Sequence, residues 1–192
     1  MVQPPKAVTG PLEAHVRRFF AGRSVRPVDH ALRDGRRGRE PGFHVLEVAP
    51  EGPGDCWTYV TARRSPEGAD GLEFVLTAPV SDTRFADLLA MVVAYHRDPA
   101  DRPLDLGHSL PIGEPWLPGS ACTHLLVSLP YPHGPELEHC PLPGGGHARF
   151  LWLLPVTESE IVYRRAHGTE ALERLFDQAG INPVDPHRAP VA

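Results

Sequence analysis

Lysine is nearly missing from this chain. All but Lys6 of its 19 basic residues are arginine, and 24 acids outweigh them, giving a formal net charge of -5 and an isoelectric point near 6.1. A general nucleic-acid binder needs the opposite balance. No apolar run approaches the roughly 18 residues that a membrane span needs. The start, Met1-Val2-Gln3-Pro4-Pro5-Lys6, has no apolar stretch of the secretory-leader kind. The three cysteines (Cys56, Cys122, Cys140) are odd in number and form no C-x-x-C pair, which excludes a disulfide framework. Reduced thiols and a cytoplasmic location are therefore expected. At 192 residues the chain suits one ordinary domain, and it shows no repeat and no internal boundary.

Proline, by contrast, is abundant. It makes up 23 of 192 residues, more than twice the ordinary share of about 5%. Together with the arginine, alanine and glycine, it has the look of a GC-rich genome, so the bias needs no functional cause. Charge is uneven along the chain. Residues 11–40 hold eight arginines against four acids, or +4, which leaves -9 for the rest. The sharpest stretch, Arg33-Asp34-Gly35-Arg36-Arg37-Gly38-Arg39, reads as a mobile solvated loop. It has no interleaved aromatics on which bases would stack.

Periodicity orders the remainder. Residues 1–9 read as a flexible tail and 10–191 as the domain. Leu12, Val16, Phe19 and Phe20 share one face of a helix near 12–21, with Pro11 suited to its first turn and Gly22 to its stop. Strand patterns fall near 43–49, 56–62, 72–77, 106–112, 123–129 and 148–154. A helix near 82–97, capped by Ser81 or Asp82, carries Phe85, Leu88, Leu89, Val92, Val93 and His96 at helical spacing. Thr157-Glu158-Ser159-Glu160 is a capping-box pattern opening a helix near 157–166. Thr169 is the expected cap of another near 169–179, where Gly180 before Ile181 suits a Schellman stop. Residues 130–147, with five prolines and Gly144-Gly145-Gly146, read as a long loop. The fold class expected is α/β (mixed α+β), a single domain with a central mixed sheet flanked by helices.

Catalytic chemistry is hard to find. His108, Cys122, His124, His133, His139, Cys140 and His147 lie within forty residues, but zinc sites usually present ligands in close pairs. The closest here are Cys122-x-His124 and adjacent His139-Cys140. A metal-dependent hydrolase built on Cys122, His124, His139 and Cys140 is the enzyme-class alternative. Gly119-Ser120 is no G-x-S-x-G elbow, since position 122 is Cys. The apolar flank of Cys122 (Leu125, Leu126, Val127) predicts an inert thiol. Pro143-Gly144-Gly145-Gly146 lacks the Lys-Ser/Thr of a P-loop. Neither catalytic residues nor a cofactor are expected. Trp57, Tyr59, Trp116, Tyr131 and Trp152 lie in or beside strands. Trp152 reads as core, whereas Trp116 and Tyr131, in proline-rich segments, suit either exposed anchors or a buried wall.

Taken in order, several strings resemble the suppressor-of-fused domain. Near the end these are Phe150-Leu151-Trp152-Leu153-Leu154-Pro155-Val156-Thr157-Glu158-Ser159-Glu160, His167-Gly168-Thr169-Glu170-Ala171-Leu172 and Asp185-Pro186-His187-Arg188. They are similar to that family's hydrophobic strand running into a "Pro-Ile/Val-Thr-x-x-Glu" helix start, its Gly-interrupted helix pair and its final "Asp-x-x-Arg". Upstream, Cys56-Trp57-Thr58-Tyr59-Val60-Thr61, Leu72-Glu73-Phe74-Val75-Leu76, Gly107-His108-Ser109-Leu110-Pro111-Ile112-Gly113 and Trp116-Leu117-Pro118-Gly119-Ser120 resemble further family segments. The resemblance covers roughly 10–191 and is strongest from 104 onward. It rests on order and spacing rather than on any one motif. Thr61-Ala62-Arg63-Arg64-Ser65 departs from the family's "Thr-x-Gly-Met/Leu-Ser".

The resemblance implies a protein-binding, non-enzymatic role. The animal member sequesters a transcription factor by gripping an extended peptide, a partner that does not carry over to a stand-alone bacterial chain ending where the family domain ends. Bacterial relatives suggest an immunity protein that binds and neutralises a toxin, encoded nearby. The expected contact surface is the 130–147 loop with Trp116 and Tyr131 as anchors, joined by His133, Glu136 and Glu138. An adjacent edge strand is a further candidate for pairing with an extended segment. Neither nucleic acid nor membrane is an expected partner. Nucleic-acid binding through the 33–39 arginines is the least favoured alternative.

Overall fold

A strand covered on both faces needs an unbroken apolar run, and residues 150–154 are one. In the computed structural model, which describes residues 10–32, 36–39, 41–63, 70–98 and 103–192, they form the middle of the longest strand. The elements follow as α1 (Pro11–Phe19), β1 (Val25–Val28), β2 (His30–Ala31), β3 (Arg37–Gly38), β4 (Phe43–Val48), β5 (Trp57–Arg63), β6 (Asp70–Ala78), α2 (Thr83–Arg97), β7 (Ser109–Pro111), β8 (Cys122–Ser128), α3 (Pro135–Glu138), β9 (His139–Pro141), β10 (His147–Thr157), α4 (Glu158–His167) and α5 (Thr169–Ala179). One eight-stranded sheet runs β1-β4-β5-β6-β10-β8-β7, with β9 also paired to β10. Only the β6–β10 pairing is parallel, so the sheet is mixed and the α/β single domain is as expected.

Side-chain alternation divides the interior. Val45, Tyr59, Phe74, Leu76, Leu151 and Leu153 face α2, where Phe85, Leu89 and Val92 meet them. The next residues along, Leu46, Val60, Val75 and Phe150, point the other way, onto Leu12 and Val16 of α1 and Leu137 of α3. Further along β10, Trp152, Leu154 and Val156 share that second face, but Ile161, Leu172 and Phe176 of α4 and α5 cover them. The second face therefore has two separate lids. No described helix is long and apolar enough to cross a membrane.

Several local expectations need correction. The 130–147 segment is not wholly loop. Pro135 occupies the first turn of α3, where its missing N–H costs nothing, and β9 pairs with β10 through His147↔Pro141 and Ala148↔Cys140. The 33–39 loop is likewise part hairpin: Arg37 and Gly38 pair with Ala31 and His30, and Arg37 bonds Asp87 of α2 at 2.8 Å. Residues 33–35 of it, like the 1–9 tail and the 64–69 connection, lie outside the described residues. Strand β1 went unforeseen because Pro27 reads as a breaker, which an edge strand tolerates. Asp82, not Ser81, caps α2; the Ser81 hydroxyl instead donates to Glu47. Gly168 rather than Thr169 is the cap residue of α5. The Schellman stop forms, with Gly180 left-handed and the Ile181 N–H bonding the Phe176 carbonyl at 3.2 Å.

The capping box forms too, and does more than cap. Thr157 Oγ1 accepts from the Glu160 N–H, and Glu160 Oε2 accepts from the Thr157 N–H at 2.8 Å. That same carboxylate receives both terminal nitrogens of Arg188, at 2.6 and 2.7 Å, and the Val191 N–H at 3.1 Å. Arg188 also bonds the Pro155 carbonyl at 3.0 Å. Desolvation pushes the Glu160 carboxyl up, but Arg188 and the backbone donors outweigh it and hold it below the usual range. We expect Arg188→Ala to destabilise the fold by roughly 3–5 kcal/mol, because the partner charge is left buried and alone. Urea unfolding will measure it. The unfolded carboxylate binds its proton first as acid is added, so the Glu160 contribution is whole above about pH 4.3 and is lost as pH falls through the lower folded value. Glu160→Gln should remove that part of the acid sensitivity.

Candidate functional site

The expected contact residues separate once their packing is seen. Trp116 is not an exposed anchor. It is 2% exposed, its ring lies 6.0 Å from Phe85, and its backbone N–H bonds the Cys122 carbonyl, so it closes the α2 core. Glu138 is also withdrawn from the surface, with one carboxylate oxygen taking two Arg149 nitrogens at 2.6 and 3.0 Å. Glu136 is exposed, and Tyr131, at 62%, is the most exposed of the large apolar side chains among the described residues. His133 is half-buried between these extremes. Its ring meets the edges of Phe19 and Phe20 and its Nε2 lies 3.4 Å from Thr77 Oγ1, which ties the 130–133 turn to α1. Burial, and then Arg23, lower its pKa to about 4.

The metal-hydrolase residues are not brought together. Cys122 belongs to the α2 core and Cys140 to the α1 core, on opposite faces of the sheet. Burial pushes both thiols up, which suits inert packing rather than nucleophilic attack. His124 Nδ1 meets the Thr123 hydroxyl, and exposed His139 lies 3.6 Å from Glu138. Among the described residues no group of three or more histidines, cysteines or carboxylates is placed to hold a metal ion. In the 33–39 segment, Arg37 bonds Asp87 and Arg39 pairs with Asp29 at 3.2 Å, so these two guanidiniums are engaged within the fold. The edge-strand expectation fares little better. The short outer strands β1, β7 and β9 carry Pro27, Pro111 and Pro141, each lacking the N–H that an added strand would use.

What stands opposite Tyr131 was not anticipated. Beside α5, on the second sheet face, opens a cleft of about 570 Å³. Tyr131 and Pro132 form one side and α5 the other, over a floor that includes Trp152 and Leu154. The α5 side presents Glu170, Glu173, Asp177 and Phe176. Glu173 accepts from Ser128 Oγ at 3.0 Å, which fixes it at the cleft wall. The Tyr131 phenol is pushed up by partial burial and then by Glu173, Asp177 and Glu138, so the field around it is negative. The signal lay in α5 itself: acids at 170, 173 and 177 recur at helical spacing beside the buried Leu172 and Phe176.

Comparison with known proteins places this architecture. The model of the family described as "Suppressor of fused protein" matches residues 39–189. A crystal structure of a suppressor of fused homolog from Neisseria gonorrhoeae FA 1090 is 32% identical, with a TM-score of 0.79 over 95% of each chain. The chain belongs to the suppressor-of-fused family. Two more distant structures share its fold at 15% identity. One is the Sufu–Fu complex, with a TM-score of 0.64 over 95% of this chain and 93% of the other. The second is Drosophila Suppressor of Fused, with a TM-score of 0.66 over 98% of this chain and 52% of the other. No curated protein sequence matches.

Two outcomes distinguish packing from contact residues. Trp116→Ala should destabilise the fold by about 3–5 kcal/mol in urea, as expected of an aromatic removed from a core. For His133, the unfolded imidazole takes a proton near pH 6.5 and the folded one only near 4, so the unfolded state binds more protons in between. Stability should therefore fall as pH drops from about 6.5 toward 4. Subtracting the pH profile of His133→Gln should isolate that loss.

Proposed function

We propose that this chain acts by binding another protein and catalyses no reaction. Its partner, on this reading, is a toxin encoded nearby, which it neutralises as an immunity protein in the bacterial cytoplasm. The observation that carries the binding reading is an exposed Tyr131 beside an apolar cleft, in a family one of whose folds has been captured as the Sufu–Fu complex. An aromatic anchor with a polar tip gives large contact area for little rotamer entropy. The chemistry proposed for the enzyme alternative has no support in the packing, where both thiols of its donor set are buried in different cores.

Co-expression with each protein encoded beside this chain's gene tests the proposal. A 1:1 complex that survives gel filtration is the expected result, together with relief of growth inhibition when the partner is a toxin. A stable complex without any growth effect would leave binding standing and remove the immunity role. If none of the neighbours binds and purified chain turns over a substrate, the reading is wrong.

A further inference from the structure

The cleft beside Tyr131 has a mismatch between floor and rim. Its floor is apolar, yet the α5 rim carries Glu170, Glu173 and Asp177 against a single base, Arg174. Arg174 is already paired with Glu170 at 3.0 Å. Glu173 and Asp177 have no ion-pair partner among the described residues, and both act on Tyr131. A second mismatch lies in the floor. Trp152 is 4% exposed, and its indole Nε1 is the one buried polar side-chain atom of the lining with no hydrogen-bond partner among the described residues. An N–H left without an acceptor in an apolar setting costs free energy that an incoming oxygen would recover.

We infer that this cleft takes a basic, partly apolar segment of a partner protein: an aliphatic or aromatic side chain on the floor against Tyr131, an arginine or lysine on the Glu173–Asp177 rim, and an oxygen of the segment accepting from Trp152. The inference rests on the protein-binding reading above and adds where and by what chemistry the partner is held. The apolar floor supplies contact area, and the two rim acids select the sign of the ligand. Unpaired acids facing a bound acidic segment would repel it, so the same pair gives selectivity as well as attraction. The α5 acids stand at positions 170, 173 and 177, one to two turns apart, which spaces the rim for an extended or helical segment of a few residues.

A displayed library of random twelve-residue peptides, panned on the full chain, tests this without knowledge of the partner. Enriched peptides should be net positive and carry an aliphatic or aromatic residue beside the basic one. Their affinity should fall about tenfold or more with Tyr131→Ala. It should fall by a similar factor with Glu173→Gln/Asp177→Asn, a loss that shrinks at high salt. All three positions are at least partly exposed, so the variants should keep the parent's unfolding midpoint within error. The Trp152 indole N–H resonance should move downfield on binding. Acidic or neutral consensus peptides, no enrichment, or a Trp152 signal that stays still would each overturn the inference. So would self-association abolished by Tyr131→Ala, since the occupant would then be a second copy. A neighbour-encoded partner whose affinity ignores these substitutions would sink this surface while leaving the protein-binding reading intact.

Discussion

Two parts of the chain, 28 residues apart at Glu160 and Arg188, are held together by one buried carboxylate. Glu160 closes the capping box on Thr157, takes both terminal nitrogens of Arg188 and receives the Val191 N–H. Strand β10 therefore passes into α4 at a fixed angle, and the C-terminal segment is tied beneath the same junction. Seating α4 seats α5, because the two follow each other across Gly168 and cover the same apolar stretch of β10. Arg164 of α4 adds a tie to the Gly107 carbonyl and to the Ser109 hydroxyl. The wall of the Tyr131 cleft is thus positioned by an ion pair whose Arg188 guanidinium lies 5.5 Å over the ring of Phe176, a cleft residue. Two strings by which the chain resembles its family, Pro-Val-Thr-x-x-Glu and Asp-x-x-Arg, meet in this single ion pair.

The same device recurs. Glu47 takes Arg26, the Tyr59 hydroxyl and the Ser81 hydroxyl, and Glu73 takes Arg63 and the Thr61 hydroxyl. Glu138 takes two nitrogens of Arg149. A carboxylate inside a sheet is tolerable only when several donors satisfy it, and a planar guanidinium offers more donors in fixed geometry than an ammonium. The arginine excess noted in the composition has this physical use, whatever its genomic origin. Desolvation still pushes the Glu73 carboxyl up despite Arg63 and Thr61.

Most of the fold was legible from periodicity. The α2 stripe, the β10 run and the capping box each carry a strong local signal; α2 and the capping box form within a residue of their expected places, and β10 runs three residues past its expected end. The short pieces were not legible. Strands β1 and β9 and helix α3 contain Pro27, Pro141 and Pro135, and a lone sequence does not tell a proline that ends an element from one that sits at its edge or first turn. Of the contact residues, Tyr131 remains at the surface, while Trp116 and Glu138 are buried. Both share the proline-rich setting of Tyr131, and their burial depends on Phe85 and Arg149, which approach from distant parts of the chain. The α5 rim was visible only as a helix with acids on it. Its meaning needs the turn at 130–133 to stand opposite.

That turn is held from behind. His133 packs against Phe19 and Phe20 of α1, so Tyr131 projects from a loop anchored on the first lid, while the acids project from the second. The two lids share the sheet face but have separate cores, one under α1 and α3 and the other under α4 and α5. The rim acids and Tyr131 are exposed or half-buried, whereas the Glu160–Arg188 pair that seats the second lid is buried. The buried ion pair and the rim acids are therefore different side chains. Substituting rim residues leaves the Glu160–Arg188 junction untouched, so the charge of the cleft can change without rebuilding the fold beneath it.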